Sequence, residues 1–124
     1  MSSNVKPIDF AAIKSISEGN TYDNREVYIV DVRNPSEFSA GSIPRAVNIP
    51  LPELGAALEL PPAEFKSKYG FDLPGPASTD KGLVVHCQMG GRAAKAANEL
   101  VDKKKYENNL YIYSPGWREF SSKI

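Results

Sequence analysis

Along this chain, continuous apolar runs of strand length alternate with segments of helical spacing. "VYIVDV" (Val27 to Val32) is almost unbroken, as expected of a strand buried on both faces. "LVVH" (83–86) and "NLYIY" (109–113) read the same way, and "AVNIP" (46–50) predicts a short strand stopped by proline. Between these runs the period changes. Phe10, Ile13 and Ile16 recur at three-residue spacing behind a capping Asp9, and Gly19 ends that helix. "NPSEF" puts Asn34 at an N-cap, Pro35 at the first helical position and Glu37 three residues after the cap. "PELGAALEL" predicts a weak helix, and "PPAEFKSKYG" one opened by proline and closed by Gly70. From Arg92 onward Ala93, Ala96, Ala97, Leu100 and Val101 share one helical face, with Lys95, Asn98, Glu99 and Asp102 opposite. "SPG" predicts a turn and "WREFSSKI" a short terminal helix.

Strands alternating with helices predict an α/β domain: a central, mostly parallel sheet with helices on both faces. Ligands in such sheets bind beyond the carboxyl ends of the strands. "DVRNP", "CQMGGR" and "SPGW" each follow a strand directly, so the three segments are expected to meet at one edge. "FDLPGPASTDKG" is a loop and the stretch expected to be most flexible, yet it is too short to separate two domains. A chain of 124 residues suits one domain spanning residues 1–124.

Charge and cysteine content narrow the function. Fifteen basic and fifteen acidic residues balance, which leaves no bulk positive field for nucleic acid or an anionic membrane. Any attraction for an anion must be local. The one cysteine excludes an intramolecular disulfide framework. No apolar stretch reaches the length of a membrane span, and "MSSNVKPIDFAAIKSISEGN" has neither a signal-peptide apolar region nor the Arg-rich character of a transit peptide. A reducing, cytoplasmic location is the expectation. One cysteine and one histidine, adjacent on a strand, do not make a metal site, and "MGGR" is not a dinucleotide fingerprint, so no cofactor is implied.

The chemistry converges on "HCQMGGR". A lone cysteine is ordinarily a small buried hydrophobe. Cys87, however, stands where a strand ends and a helix begins, with two glycines and Arg92 following. Backbone N–H groups of Gln88, Met89, Gly90 and Gly91 can turn inward as an anion-binding nest, reinforced by the helix dipole. Gly90 and Gly91 tolerate the positive φ such a nest needs, and Arg92 adds a donor fork suited to oxyanions. That environment favours the thiolate, the reactive form of the side chain. Cys87 is the candidate nucleophile, with Arg92 and the loop residues as the substrate-binding set. His86 precedes it on the strand, points to the other face, and reads as structural.

The loop "CQMGGR" resembles the C-x-x-G-x-R active-site loop of rhodanese-like sulfurtransferases. "VDVRNPSEFSAGSIPRAVNIP" is similar to that family's second signature, and "SPGWREF" to its closing turn. "EFKSKYGFDLP" further resembles the single-domain thiosulfate:glutathione sulfurtransferases. The resemblance implies a rhodanese-like domain whose Cys87 takes a sulfane sulfur from thiosulfate as a persulfide. Sulfite would leave, and the sulfur would pass to a thiol such as glutathione, or to cyanide in vitro. It implies that Arg92 holds the anionic donor, and that Asp31 and Arg33 brace the loop. Its partners would be a small-molecule sulfur donor and a thiol acceptor, with no nucleic acid or membrane. Ser42, Ala93 and Pro115 depart from the residues common at those places, His, Ser or Thr, and Gly.

Two alternatives compete. Cysteine phosphatases also set a thiolate in an anion cradle, but with five residues between Cys and Arg where this chain has four. A shorter loop makes a narrower ring, better matched to one sulfur atom than to a phosphoryl group, and no general acid stands out. The other alternative is a non-catalytic binding module on the same fold. Retention of Cys87, both glycines and Arg92 speaks against it. Trp117 reads equally as an entrance residue or a core aromatic, and Lys103, Lys104 and Lys105 as a solvated helix end.

Overall fold

A computed structural model describes residues 5–124. The elements are β1 (Val5–Pro7), α1 (Phe10–Ser17), β2 (Glu26–Asp31), α2 (Pro35–Ala40), β3 (Val47–Asn48), α3 (Leu51–Leu58), α4 (Pro62–Tyr69), β4 (Lys81–His86), α5 (Gly91–Lys104), β5 (Leu110–Tyr113) and α6 (Gly116–Lys123). The strands form one sheet in the order β1-β5-β4-β2-β3, and every pairing is parallel.

Side-chain alternation along the strands divides the core in two. Leu83, Val85, Val30, Val32 and Leu110 point to the face covered by Leu54, Ala57 and Leu58 of α3, Phe65 of α4, and Ala93, Ala96, Ala97 and Leu100 of α5. Val84, Val27, Ile29, Tyr111 and Tyr113 point to the opposite face, covered by Ile13 and Ile16 of α1 and Phe120 of α6. Helices on both faces explain why β2 and β4 are apolar without interruption.

Local signals set most of the boundaries. The Asp9 carboxylate accepts the Ala12 N–H at 3.0 Å, and Asn34 and Glu37 complete a reciprocal capping box. Gly70 closes α4 at φ 84°. β1 is absent from the sequence expectation because "VKP" is only three residues and contains proline, which an edge strand tolerates. The segment after α4, expected to be the most flexible, is fastened. The Tyr106 hydroxyl donates to the Pro74 carbonyl, and Asn109 Nδ2 donates to the Gly75 carbonyl at 2.8 Å.

For function the decisive feature is the level at which the strands end. Asp31 pairs with His86, and His86 with Tyr113, in register. The three following segments therefore leave the same sheet edge together.

Candidate active site

Cys87 is the first residue past β4, on the face covered by α5, and is buried, with 1% of the residue exposed. Its Sγ faces two backbone donors, Gly90 N–H at 3.0 Å and Ala93 N–H at 3.4 Å. Both belong to the start of α5, where N–H groups have no partner within the helix. Two such donors favour negative charge on the sulfur.

The loop reaches this shape by a division of labour. Its carbonyls are drawn away from the thiol by α6, whose first N–H groups capture them: Trp117 N–H to the Cys87 carbonyl at 2.9 Å, and Arg118 N–H to the Gln88 carbonyl at 3.2 Å. Gly116 permits this approach, since a Cβ there would overlap both carbonyls, and its φ is 67°. Gly90 turns the loop with φ 111°, and a Cβ on it would stand 2.9 Å from the Ser114 carbonyl oxygen. Gly91 is different. It takes an ordinary helical conformation, with open space where a Cβ would be, so only one of the two expected glycines is required by backbone geometry.

Behind the loop lies a buried charge pair. The Arg33 guanidinium meets the Asp31 carboxylate through Nε at 3.1 and 3.0 Å and through Nη2 at 2.7 Å. Nη2 also donates to the Gly41 carbonyl at 2.7 Å, and Nη1 reaches Gln88 Oε1 at 3.4 Å. Trp117 lies against the guanidinium, 5.5 Å from ring centroid to Cζ, and stacks on Phe120. Asp31 and Arg33 thus form an internal brace, and Trp117 backs that brace instead of lining the cleft. His86 lies on the sheet face away from Cys87, as alternation requires. Its Nδ1 is 3.1 Å from the Cys87 carbonyl, which only accepts, so Nδ1 carries the proton. Burial pushes the His86 pKa below its ordinary value; Asp31 works against that shift and Arg33 reinforces it.

Arg92, in the first turn of α5, does not hang free. Its Nη1 and Nη2 donate to Glu37 Oε1 and Oε2 at 2.6 and 3.0 Å. The Arg92 guanidinium, followed by the Asn34 N–H, holds the Glu37 carboxyl down at about 2, against the cost of partial burial. Glu37 therefore does two jobs, capping α2 and orienting Arg92. Only the first was visible as a local motif. Two of five guanidinium N–H donors are spent on Glu37, which leaves three for an anion in the cleft.

Cys87, Gln88, Met89, Gly91, Arg92 and Lys95 line a shallow cleft of about 400 Å³ over the thiol. The expected set thus converges, with Gly90 just beneath. Lys95, which helical spacing placed on the solvent face, stands at the mouth without an ion pair among the described residues. No group of three or more His, Cys, Asp or Glu side chains among those residues is placed to hold a metal.

A cysteine cradled at a strand-to-helix turn, on a five-stranded parallel sheet covered on both faces, defines the class, and the chain belongs to the rhodanese-like domain family, whose profile matches residues 12–123. Particular relatives narrow the comparison. The human thiosulfate:glutathione sulfurtransferase is 44% identical over 95 residues, covering 77% of this chain and 79% of that protein. The Saccharomyces cerevisiae thiosulfate:glutathione sulfurtransferase is 34% identical over 110 residues, covering 88% of this chain and 74% of its own. Among solved structures, the human single-domain sulfurtransferase TSTD1 superposes with a TM-score of 0.78 at 28% identity, over 99% of both chains.

Proposed function

We propose that this protein is a thiosulfate sulfurtransferase that carries sulfane sulfur on Cys87 and delivers it to a small thiol such as glutathione. The observation that carries the reading is the pair of N–H groups aimed at Sγ, Gly90 from the four-residue loop between Cys87 and Arg92 and Ala93 from just past it. The Cys87 thiolate attacks the outer sulfur of thiosulfate, the sulfur–sulfur bond breaks, and sulfite leaves with the electron pair. Arg92 and Lys95 hold the departing dianion, and the cradle takes the charge of the new persulfide. An acceptor thiolate then attacks the outer persulfide sulfur and Cys87 leaves as thiolate. The acceptor becomes a persulfide, its proton passes to solvent, and no external oxidant or reductant enters.

The phosphatase alternative gains no acid from Glu37: the carboxylate paired with Arg92 is ionised far below neutrality, so it has no proton to donate. Mass spectrometry after incubation with thiosulfate tests the proposal. The wild type should gain one sulfur atom and Cys87→Ser none, since a hydroxyl neither ionises at neutral pH nor holds a persulfide. Sulfur on the Ser variant, or none on the wild type, refutes it.

A further inference from the structure

The Cys87 cleft continues sideways. Met89 lines the cleft and also a second, open groove of about 730 Å³ formed with Pro115, Arg118, Glu119, Ser122 and Lys123 of the β5–α6 turn and α6. Its volume is within the range of small-ligand sites, roughly 300–1,000 Å³. Met89 itself is 63% exposed, an unusual position for a large apolar side chain beside a reactive centre.

The groove has a distinct charge pattern. Arg118 Nη1 rests 3.1 Å from Met89 Sδ, which fixes a cation at the border with the cysteine cleft. Lys123 Nζ sits 5.3 Å from the centroid of the Phe10 ring. Neither cation has a carboxylate within ion-pair distance among the described residues. The groove's acid, Glu119, accepts the Tyr113 hydroxyl at 2.7 Å. Two cations without ion pairs among the described residues, one carboxylate and the apolar side chains of Met89 and Pro115 thus adjoin the cysteine cleft, which shares Met89 with the groove.

We propose that this groove is the acceptor site and that it selects a small thiol bearing carboxylates, of the glutathione class. The proposal rests on the sulfurtransferase reading, which already names glutathione as acceptor, and adds to it the place and the side chains that would recognise that acceptor. An acceptor must bring its sulfur to the outer persulfide sulfur, where sulfite has just left, so the remainder of the molecule has to lie beside the cleft. Arg92 and Lys95 occupy the α5 side. The α6 side is open, and its charges complement glutathione, which carries two carboxylates and one ammonium. Met89, flexible and polarizable, gives the acceptor's carbon chain a surface to slide over.

The test is a selectivity ratio: kcat/KM for glutathione divided by kcat/KM for 2-mercaptoethanol, which has the thiol but no charge, with thiosulfate as donor. Arg118→Ala should lower that ratio roughly 5- to 20-fold, the loss expected for a charge-assisted hydrogen bond at a solvated site. Arg118→Lys should recover part of it. Lys123→Ala, in the exposed last turn of α6, gives an independent reading and should lower the ratio a few-fold. A ratio unchanged in both alanine variants overturns the groove assignment even when the wild type gains sulfur from thiosulfate. A wild type that gains no sulfur overturns the sulfurtransferase reading and the groove with it.

Discussion

Gly90 and Gly91 are adjacent, both lie in the cysteine loop, and the structure gives them opposite consequences on substitution. Gly90 has φ 111° and ψ −24°. An alanine there is strained by about 1–3 kcal/mol from its backbone conformation alone. Its Cβ would also meet the Ser114 carbonyl oxygen at 2.9 Å, a backbone atom that cannot rotate away, for roughly another 1–3 kcal/mol. Gly90→Ala should therefore destabilise by about 2–6 kcal/mol, a large part of the ~5–15 kcal/mol typical of a domain. Relief of that strain moves the Gly90 N–H, which is 3.0 Å from Sγ. Losing one preorganised donor of this kind costs about 10²–10³ in rate, and displacing it should cost at least tenfold. Gly91 has ordinary φ and nothing within 4 Å of an added Cβ, so Gly91→Ala should change stability by no more than about 0.5 kcal/mol. Urea unfolding of both variants, with sulfite release from thiosulfate and cyanide for Gly90→Ala, makes the comparison. Equal destabilisation by the two substitutions, or wild-type kcat/KM in Gly90→Ala, would refute the account of the loop given above.

Further outcomes follow from the charge pairs. Arg33→Met leaves Asp31 buried without its main partner and should cost about 3–5 kcal/mol in urea unfolding; a loss below 1 kcal/mol would deny the brace its role. Arg92→Ala should raise KM for thiosulfate at least tenfold, by loss of charge-assisted contacts of about 1.5–3 kcal/mol, and an unchanged KM would remove Arg92 from donor binding. His86 has a depressed pKa in the fold, so below the unfolded value of about 6.5 the unfolded chain binds the extra proton. Its contribution is complete above that pH and declines as pH falls toward the folded pKa, with a slope no steeper than about 1.4 kcal/mol per pH unit. Glu37, also depressed, acts in a lower window, from about 4.5 down to about 2. Denaturant midpoints between pH 7.5 and 5.5 should fall in the wild type and fall less in His86→Asn; parallel slopes would assign the effect elsewhere.

The order and type of the longer elements were legible because period and punctuation agree. β2 and β4 are unbroken apolar runs, α5 has a clean apolar face, and Asp9, Asn34 and Gly70 mark ends by side-chain or backbone chemistry local to a few residues. The candidate nucleophile stood out for the same reason: Cys87, Gly90 and the start of α5 are contiguous. That three strand-end segments meet was also expected, and what escaped were particular contacts between distant segments. β1 is three residues, paired with β5 at the edge of the sheet. Gly116 looked like turn punctuation, whereas its lack of a side chain admits the carbonyls of Cys87 and Gln88. Pro115, a departure from the common glycine, sits at φ −62°, the value proline prefers, so that exchange asks nothing of the backbone. Arg92 read only as a donor fork for an oxyanion, because its partner Glu37 lies in another motif.

That partnership follows a rule the sheet imposes. β2 and β4 pair in parallel from Glu26 with Lys81 through Asp31 with His86, at a constant offset of 55 residues. The same offset relates Glu26 and Lys81 as an ion pair, Arg33 and Gln88 as a hydrogen bond, and Glu37 and Arg92 as the bidentate pair at the cleft. His86 and Asp31, 3.7 Å apart, obey it too. Parallel strands run on in the same direction after they end, so the segments that leave them stay in step for about another turn. The strand register therefore fixes which acid faces Arg92 and which amide faces Arg33, well beyond the last ladder hydrogen bond. A one-residue slip would exchange the two apolar faces of β2, sending Val30 toward the α1–α6 layer and Val27 and Ile29 toward the α3–α5 layer, so packing on both faces holds the register together with the polar pairs. In this molecule the electrostatics of the cysteine loop follow from the register of the two strands that lead into the loop and its partners. Once the register of "VYIVDV" against "GLVVHC" is known, Glu37 is found by counting.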